Sequence, residues 1–156
     1  FWFPSEHLST GALDQLCTRL LLDGAPRPVL PRRQLHGMLK GFADLVIERD
    51  GRYWVLDYKS NALGANDAAY HTAALAAGMA QHRYDIQGAI YMLALHRLLK
   101  SRLGDAYDPA EHLGGAIFLF LRGIANADTH GCYWLAPQLE LLDGLDQLLS
   151  EEVEIA

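Results

Sequence analysis

Two apolar runs joined by Asp50-Gly51 constrain the fold of this chain more than any other feature. Gln34–Glu48 and Arg52–Ser60 are rich in Val, Ile, Leu, Phe, Tyr and Trp, and Arg49-Asp50-Gly51-Arg52 lies between them. Asp-Gly in that position is the strongest short hairpin signal, because both residues of the favoured turn need positive φ. With Asp50 and Gly51 as the turn, Arg49 faces Arg52, and the register runs back until Asp44 faces Asp57. Opposite residues of an antiparallel pair have Cβ atoms about 5 Å apart and share a face. Lys59, two residues beyond Asp57, falls on that face too. The hairpin thus predicts three charged side chains, Asp44, Asp57 and Lys59, on one side of an otherwise apolar sheet.

Such a cluster is unfavourable as a structural device. Adjacent carboxylates repel, and in a partly buried place one of them takes up a proton. A divalent cation removes the conflict. Hard cations such as Mg2+ take oxygen ligands, often one or two carboxylates completed by substrate phosphate and water. The expected metal ligands are Asp44, Asp57 and the backbone carbonyl of Tyr58. Such a metal polarises a phosphoryl oxygen and yields hydroxide from bound water. Lys59 is placed to orient that water or to stabilise charge on the phosphate. The chemistry predicted is metal-assisted phosphodiester hydrolysis.

The rest of the chain reads as strands interleaved with helices, which predicts an α/β fold with a central sheet flanked by helices. Phe1–Pro4 is a short strand. Leu8–Leu22 has helical spacing, with Ser9-Thr10 as the cap and Gly24 just past the end. Asp23–Arg33, with its prolines, is loop and the best candidate for a linker. Asn61–Asn66 is loop, and Asp67–Gln81 is a helix capped by Asp67. Asp85–Leu103 is a helix with Ile86, Ile90, Leu93, Leu98 and Leu99 near one side, closed by Gly104. Gly115–Arg122 is almost wholly apolar, the pattern of a strand covered on both faces. Tyr133–Leu135 pairs at its edge, and Gln138–Leu149 is a closing amphipathic helix.

Thirteen Lys and Arg against nineteen Asp and Glu give a net charge of −6, which excludes a general basic sponge for nucleic acid. Two cysteines, Cys17 and Cys132, are too few for a cysteine-built zinc or iron–sulfur centre and are expected as small buried residues in a reducing compartment. No apolar run reaches the about 18 residues a membrane span needs, and no leader pattern is present. Trp2, Trp54 and Trp134 are expected in the core or at an interface. The opening Phe1-Trp2-Phe3-Pro4, without Met, reads as the middle of a pattern, so residues 1–156 are expected to be one domain of a longer protein.

Three stretches then carry a resemblance. Gly41-Phe42-Ala43-Asp44, Leu56-Asp57-Tyr58-Lys59-Ser60-Asn61 and Gln87-Gly88-Ala89-Ile90-Tyr91 resemble, in order and spacing, the signature motifs of the RecB-type branch of the PD-(D/E)XK nucleases. The resemblance runs from about His36 to Gly123. It implies a mixed β-sheet with a restriction-endonuclease-like core and Mg2+-dependent cutting of single-stranded DNA behind a helicase, in the processing of double-strand ends for recombinational repair. Carried over by residue, it makes Asp44 and Asp57 the metal-binding acids and Lys59 the catalytic lysine. Gln87 and Tyr91 match the Gln-x-x-x-Tyr motif and, as i and i+4 of a helix, share one face. Lys40 and Arg122 are candidate DNA contacts. The implied partners are single-stranded DNA, RecC-like and RecD-like subunits and a RecA-like recombinase, in the bacterial cytoplasm. The branch also uses a histidine on a helix upstream of the first acid. Neither His7 nor His36 has that context, so the histidine helix is expected to precede the chain, which leaves the isolated domain weakly active or inactive. His71, His82, His96, His112 and His130 are expected as surface or packing residues. Two rival readings remain: a docking module for RecA-like and RecC-like proteins, and a stand-alone Cas4-like nuclease.

Overall fold

The computed structural model describes residues 1–5, 8–34 and 37–150; His7 and His36 lie outside them. Strand β1 (Trp2–Pro4) pairs antiparallel with β2 (Met38–Lys40) in a separate two-stranded ribbon. Strands β3 (Leu45–Arg49), β4 (Arg52–Lys59), β5 (Leu113–Phe120) and β6 (Cys132–Leu135) form a four-stranded sheet in that order. β4 and β5 run parallel and the other pairs antiparallel, so the sheet is mixed, as the resemblance to the nuclease family implies.

The hairpin register is the expected one: Arg49 faces Arg52 and Leu45 faces Leu56. Asp50 and Gly51 have φ of 54° and 78°, the positive values of a type I′ turn. The Glu48 carboxylate accepts the Gly51 N–H at 2.6 Å. The run expected over Gln34–Glu48 is two strands, β2 and β3, because residues 41–44 pair in no ladder.

The helices are α1 (Thr10–Leu20), α2 (Thr72–Gln81), α3 (Tyr84–Leu103), the one-turn α4 (Pro109–His112) and α5 (Leu139–Ser150). Ser9 caps α1 through the Ala12 N–H, as expected. The helix expected over Asp67–Gln81 is broken. Asn66, rather than Asp67, caps a 3-10 turn over Asp67–Ala69, and His71 Nδ1 caps α2. Tyr70 sits at the break because its buried hydroxyl donates to the Asn61 carbonyl and accepts the Leu63 N–H.

α3 packs on β4 and β5 and is flanked by α1, α2 and α5. It therefore buries more than one stripe. Ala89, Met92, Leu93, Leu95 and Leu99 are in the core, whereas Leu98, expected inside, is exposed. A Cβ on Gly88 would lie 2.6 Å from Leu135 and 3.1 Å from Phe118, so glycine lets α3 approach the sheet.

Phe118 and Phe120 of β5 are fully buried toward α3, but Ile117 and Leu119 on the opposite face are only partly covered. β5 is thus not covered on both faces. Trp2 and Trp134 are exposed, and Trp54 is partly buried against Gly114. Cys17 is buried as expected; Cys132 is exposed, because it lies on the edge strand β6.

The proline-bearing loop after α1 is fastened rather than free. Arg27, 1% exposed, meets fully buried Asp85 at 2.8 Å and donates to the Leu21 carbonyl. Arg83 bridges Asp14 at 2.6 Å and Asp85 at 3.1 Å, and the Leu30 N–H donates to Asp14. These four buried charges tie the loop to α1 and to the start of α3.

Candidate active site

The site forms where the C-terminal end of β4 meets the first turns of α3. Alternation along β4 turns Asp57 and Lys59 toward α3, while Tyr58 points outward and is exposed. Asp57 is only 6% exposed. Its Oδ2 lies 2.7 Å from Lys59 Nζ. Lys59 Nζ also donates to Gln87 Oε1 at 2.6 Å and sits 3.9 Å from the centre of the Tyr84 ring. A desolvated ammonium over an aromatic face is electrostatically favoured.

Gln87 and Tyr91 share one helical face and bond each other: Gln87 Nε2 donates to the Tyr91 hydroxyl at 2.7 Å. That hydroxyl lies 2.7 Å from the Phe42 carbonyl and 3.3 Å from Asp57 Oδ1. Burial, then the charge of Asp57, pushes the Tyr91 phenol up to about 12, so it stays protonated and acts as a donor. One continuous network therefore runs from Lys59 through Gln87 and Tyr91 to Asp57 and to the segment that carries Asp44.

Asp44 stands just before β3, in line with Asp57 on the hairpin register, and is exposed. Its Oδ2 accepts the Tyr58 N–H at 2.8 Å, taking the place of a ladder bond beyond the end of β3. In an extended strand a residue's N–H and C=O point to the same side, so the Tyr58 carbonyl faces the same flank as Asp44. The donors offered here are oxygens of two carboxylates and one carbonyl, a set that suits a hard divalent cation. Among the described residues, no group of three or more His, Cys, Asp and Glu side chains is placed to hold a metal.

The remaining expected residues lie around this centre. Arg122 is exposed, and its Nε donates to the Ser60 carbonyl at 2.8 Å, directly after Lys59. Lys40 is exposed on β2, with Nζ 4.6 Å from the Trp2 ring and 4.8 Å from the Phe42 ring. His71 caps α2, His82 stacks on Tyr84, and His96 bonds the Tyr107 hydroxyl.

Tyr84 lies outside the expected site residues, and Asn61, though part of the second motif, carries no expected role there. The Tyr84 hydroxyl donates to Asn61 Oδ1 at 3.0 Å while its ring flanks Lys59. The signal was present: residues 84, 87 and 91 fall on one helical face.

The chain belongs to the PD-(D/E)XK nuclease superfamily, whose model matches residues 6–154. Nucleases of this superfamily use divalent metal ions. The chain is 45% identical, over 96% of its length, to the protein named RecBCD enzyme subunit RecB in Escherichia coli (strain K12). Proteins of the same name are 42% identical over 78% of the chain in Haemophilus influenzae and 44% identical over 74% in Mycobacterium tuberculosis (strain CDC 1551 / Oshkosh). The chain spans 13%, 10% and 11% of the lengths of these three relatives.

Proposed function

We propose that the chain is the nuclease domain of a longer RecB-like helicase–nuclease subunit and that it hydrolyses phosphodiester bonds of single-stranded DNA with Mg2+. The observation that carries this reading is the Asp57–Lys59 pair, held at 2.7 Å at a strand end and locked by Gln87 from the facing helix. The structural ion pairs of this chain tie distant segments together, whereas this pair joins two residues of one strand and has a second acid, Asp44, bonded to the N–H of the residue between them. The similarity to RecB proteins supports the same reading and extends it to the partners: RecC-like and RecD-like subunits and a RecA-like recombinase in the bacterial cytoplasm.

Asp44, Asp57 and the Tyr58 carbonyl would hold the metal. A bound Mg2+ supplies Lewis-acid polarisation of the phosphoryl group and a more acidic water. Lys59 gives two of its three ammonium protons to Asp57 and Gln87 and has the third left for the attacking water or for charge developing on phosphate. Gln87 fixes the direction of Lys59. Protonated Tyr91 has one proton, which goes to the nearer Phe42 carbonyl at 2.7 Å with Asp57 Oδ1 beside the hydroxyl at 3.3 Å, so this side chain sets the spacing of the two acid-bearing segments. Lys40, beside the Phe42 ring, and Arg122, bonded to the Ser60 carbonyl, are the cations offered to the phosphates. Nothing in the site reads a base edge, so cutting is expected to show little sequence preference.

The test is cleavage of linear and circular single-stranded DNA in Mg2+, beside Lys59→Ala. Cutting by the native protein and loss of at least about 100-fold in Lys59→Ala is the expected result. Cutting that survives this substitution sinks the assignment of Lys59, and the absence of metal-dependent cutting in the full-length subunit sinks the nuclease reading.

A further inference from the structure

We propose that Trp2, Lys40 and Phe42 form a stacking platform that seats unpaired bases of a single strand next to the metal site. The proposal rests on the nuclease reading for the identity of its occupant. Trp2 and Lys40 are directly opposite each other in the β1–β2 ribbon. Alternation buries Phe3 on the inner face of the ribbon and leaves Trp2, Met38 and Lys40 on the outer face. Trp2 is 60% exposed and Phe42 73% exposed, and with Met38 they form a contiguous solvent-facing apolar patch around one lysine rather than singly scattered rings. Lys40 Nζ stands between them, at 4.6 Å and 4.8 Å from the two ring centres.

Aromatic faces with a cation between them match the two parts of a nucleotide. Rings stack on bases of any sequence, and an ammonium takes the phosphate. The position supplies the link to catalysis. The Phe42 carbonyl accepts the Tyr91 hydroxyl at 2.7 Å, the same hydroxyl that reaches Asp57, and Asp44 is two residues further along. A strand stacked on Trp2 and Phe42 is led toward the two acids. The acidic net charge of the chain favours this division of labour, with stacking supplying grip that phosphate contacts alone do not.

The test uses a labelled oligothymidylate and its abasic counterpart, with EDTA so that nothing is cut. Trp2→Leu and Phe42→Leu remove rings that are already solvated, so both variants are expected to keep native melting curves. Each should weaken binding to the oligothymidylate at least about fivefold. The native protein should bind the abasic strand correspondingly less well, and the ring variants should no longer distinguish the two strands. Lys40→Gln should lower the salt dependence by about one phosphate contact.

Ring variants with native affinity overturn the platform, including the case in which they lose a protein partner instead. If the native protein still cuts in Mg2+ in that case, the nuclease reading stands alone. Ring-dependent binding by a full-length subunit that never cuts keeps the platform and removes the nuclease reading.

Discussion

Both oxygens of the Asp57 carboxylate are engaged, Oδ2 by Lys59 and Oδ1 by the Tyr91 hydroxyl. Lys59→Ala therefore does more than remove a reacting group. It leaves a mostly buried carboxylate short of its counter-charge, which costs about 3 kcal/mol or more. In metal-free buffer the variant should melt roughly 6–12 °C below the native protein. Added Mg2+ should recover more of that loss than it adds to the native protein, because bound ligand stabilises the folded state. An equal Mg2+ shift in both proteins would contradict the placement of the ion at Asp57. The titration of single residues also sets the pH range of stability. Burial holds His96 below its usual value. Between that lowered value and about 6.5 the unfolded chain binds the extra proton, so stability falls as pH drops below about 6.5. Burial pushes Asp14 up, but the Leu30 N–H and Arg83 outweigh it and leave it below its ordinary value. Its contribution is intact above about pH 4 and is lost as pH falls further. At the alkaline end Tyr91 and Tyr107 are both pushed up to about 12 by burial, so stability declines from about pH 10 toward 12. Denaturant midpoints across pH check all three limbs, and His96→Asn should flatten the limb that begins near 6.5.

At the scale of elements, the hairpin was legible because one dipeptide fixes the turn type, and the turn type fixes every pairing back to Leu45 and Leu56. Gln87 and Tyr91 were legible as a pair because helical spacing alone puts them on one face. The packing around them was not. The 3-10 break before α2 depends on where the Tyr70 hydroxyl lands, on Asn61 and Leu63, which no local pattern encodes. The outer face of β5 read as covered because its run is apolar, yet covering depends on what packs above it. Gly88 marks how closely α3 sits on the sheet. Gly88→Val would drive methyl groups into Leu135 and Phe118, costing about 1–3 kcal/mol and lifting Gln87 away from Lys59. The expected result is a drop in cleavage larger than the loss of folded protein accounts for. Cleavage that simply tracks the folded fraction would show that the approach of α3 matters for stability alone.

Across the whole molecule, the four buried charges Asp14, Arg27, Arg83 and Asp85 join segments far apart in the chain. From sequence Asp23–Arg33 is loop and only the best candidate for a linker, since prolines and arginines in a row carry no sign of the carboxylates that will meet them. Asp85→Asn is expected to destabilise the fold by about 3–5 kcal/mol, because it leaves the buried Arg27 guanidinium without a carboxylate and Arg83 with Asp14 alone. Urea unfolding measures it, and a change below about 1 kcal/mol would mean that the network closes over the loss. Asp85 is also two residues before Gln87, and Arg83 immediately precedes Tyr84, whose ring flanks the lysine. The first turn of α3 is thus moored to α1 and to the loop at two charged points. The helix can neither roll nor slide without pulling ions out of their partners. What looked like slack in the chain works as an anchor, and the ammonium of Lys59 rests against a wall that cannot drift.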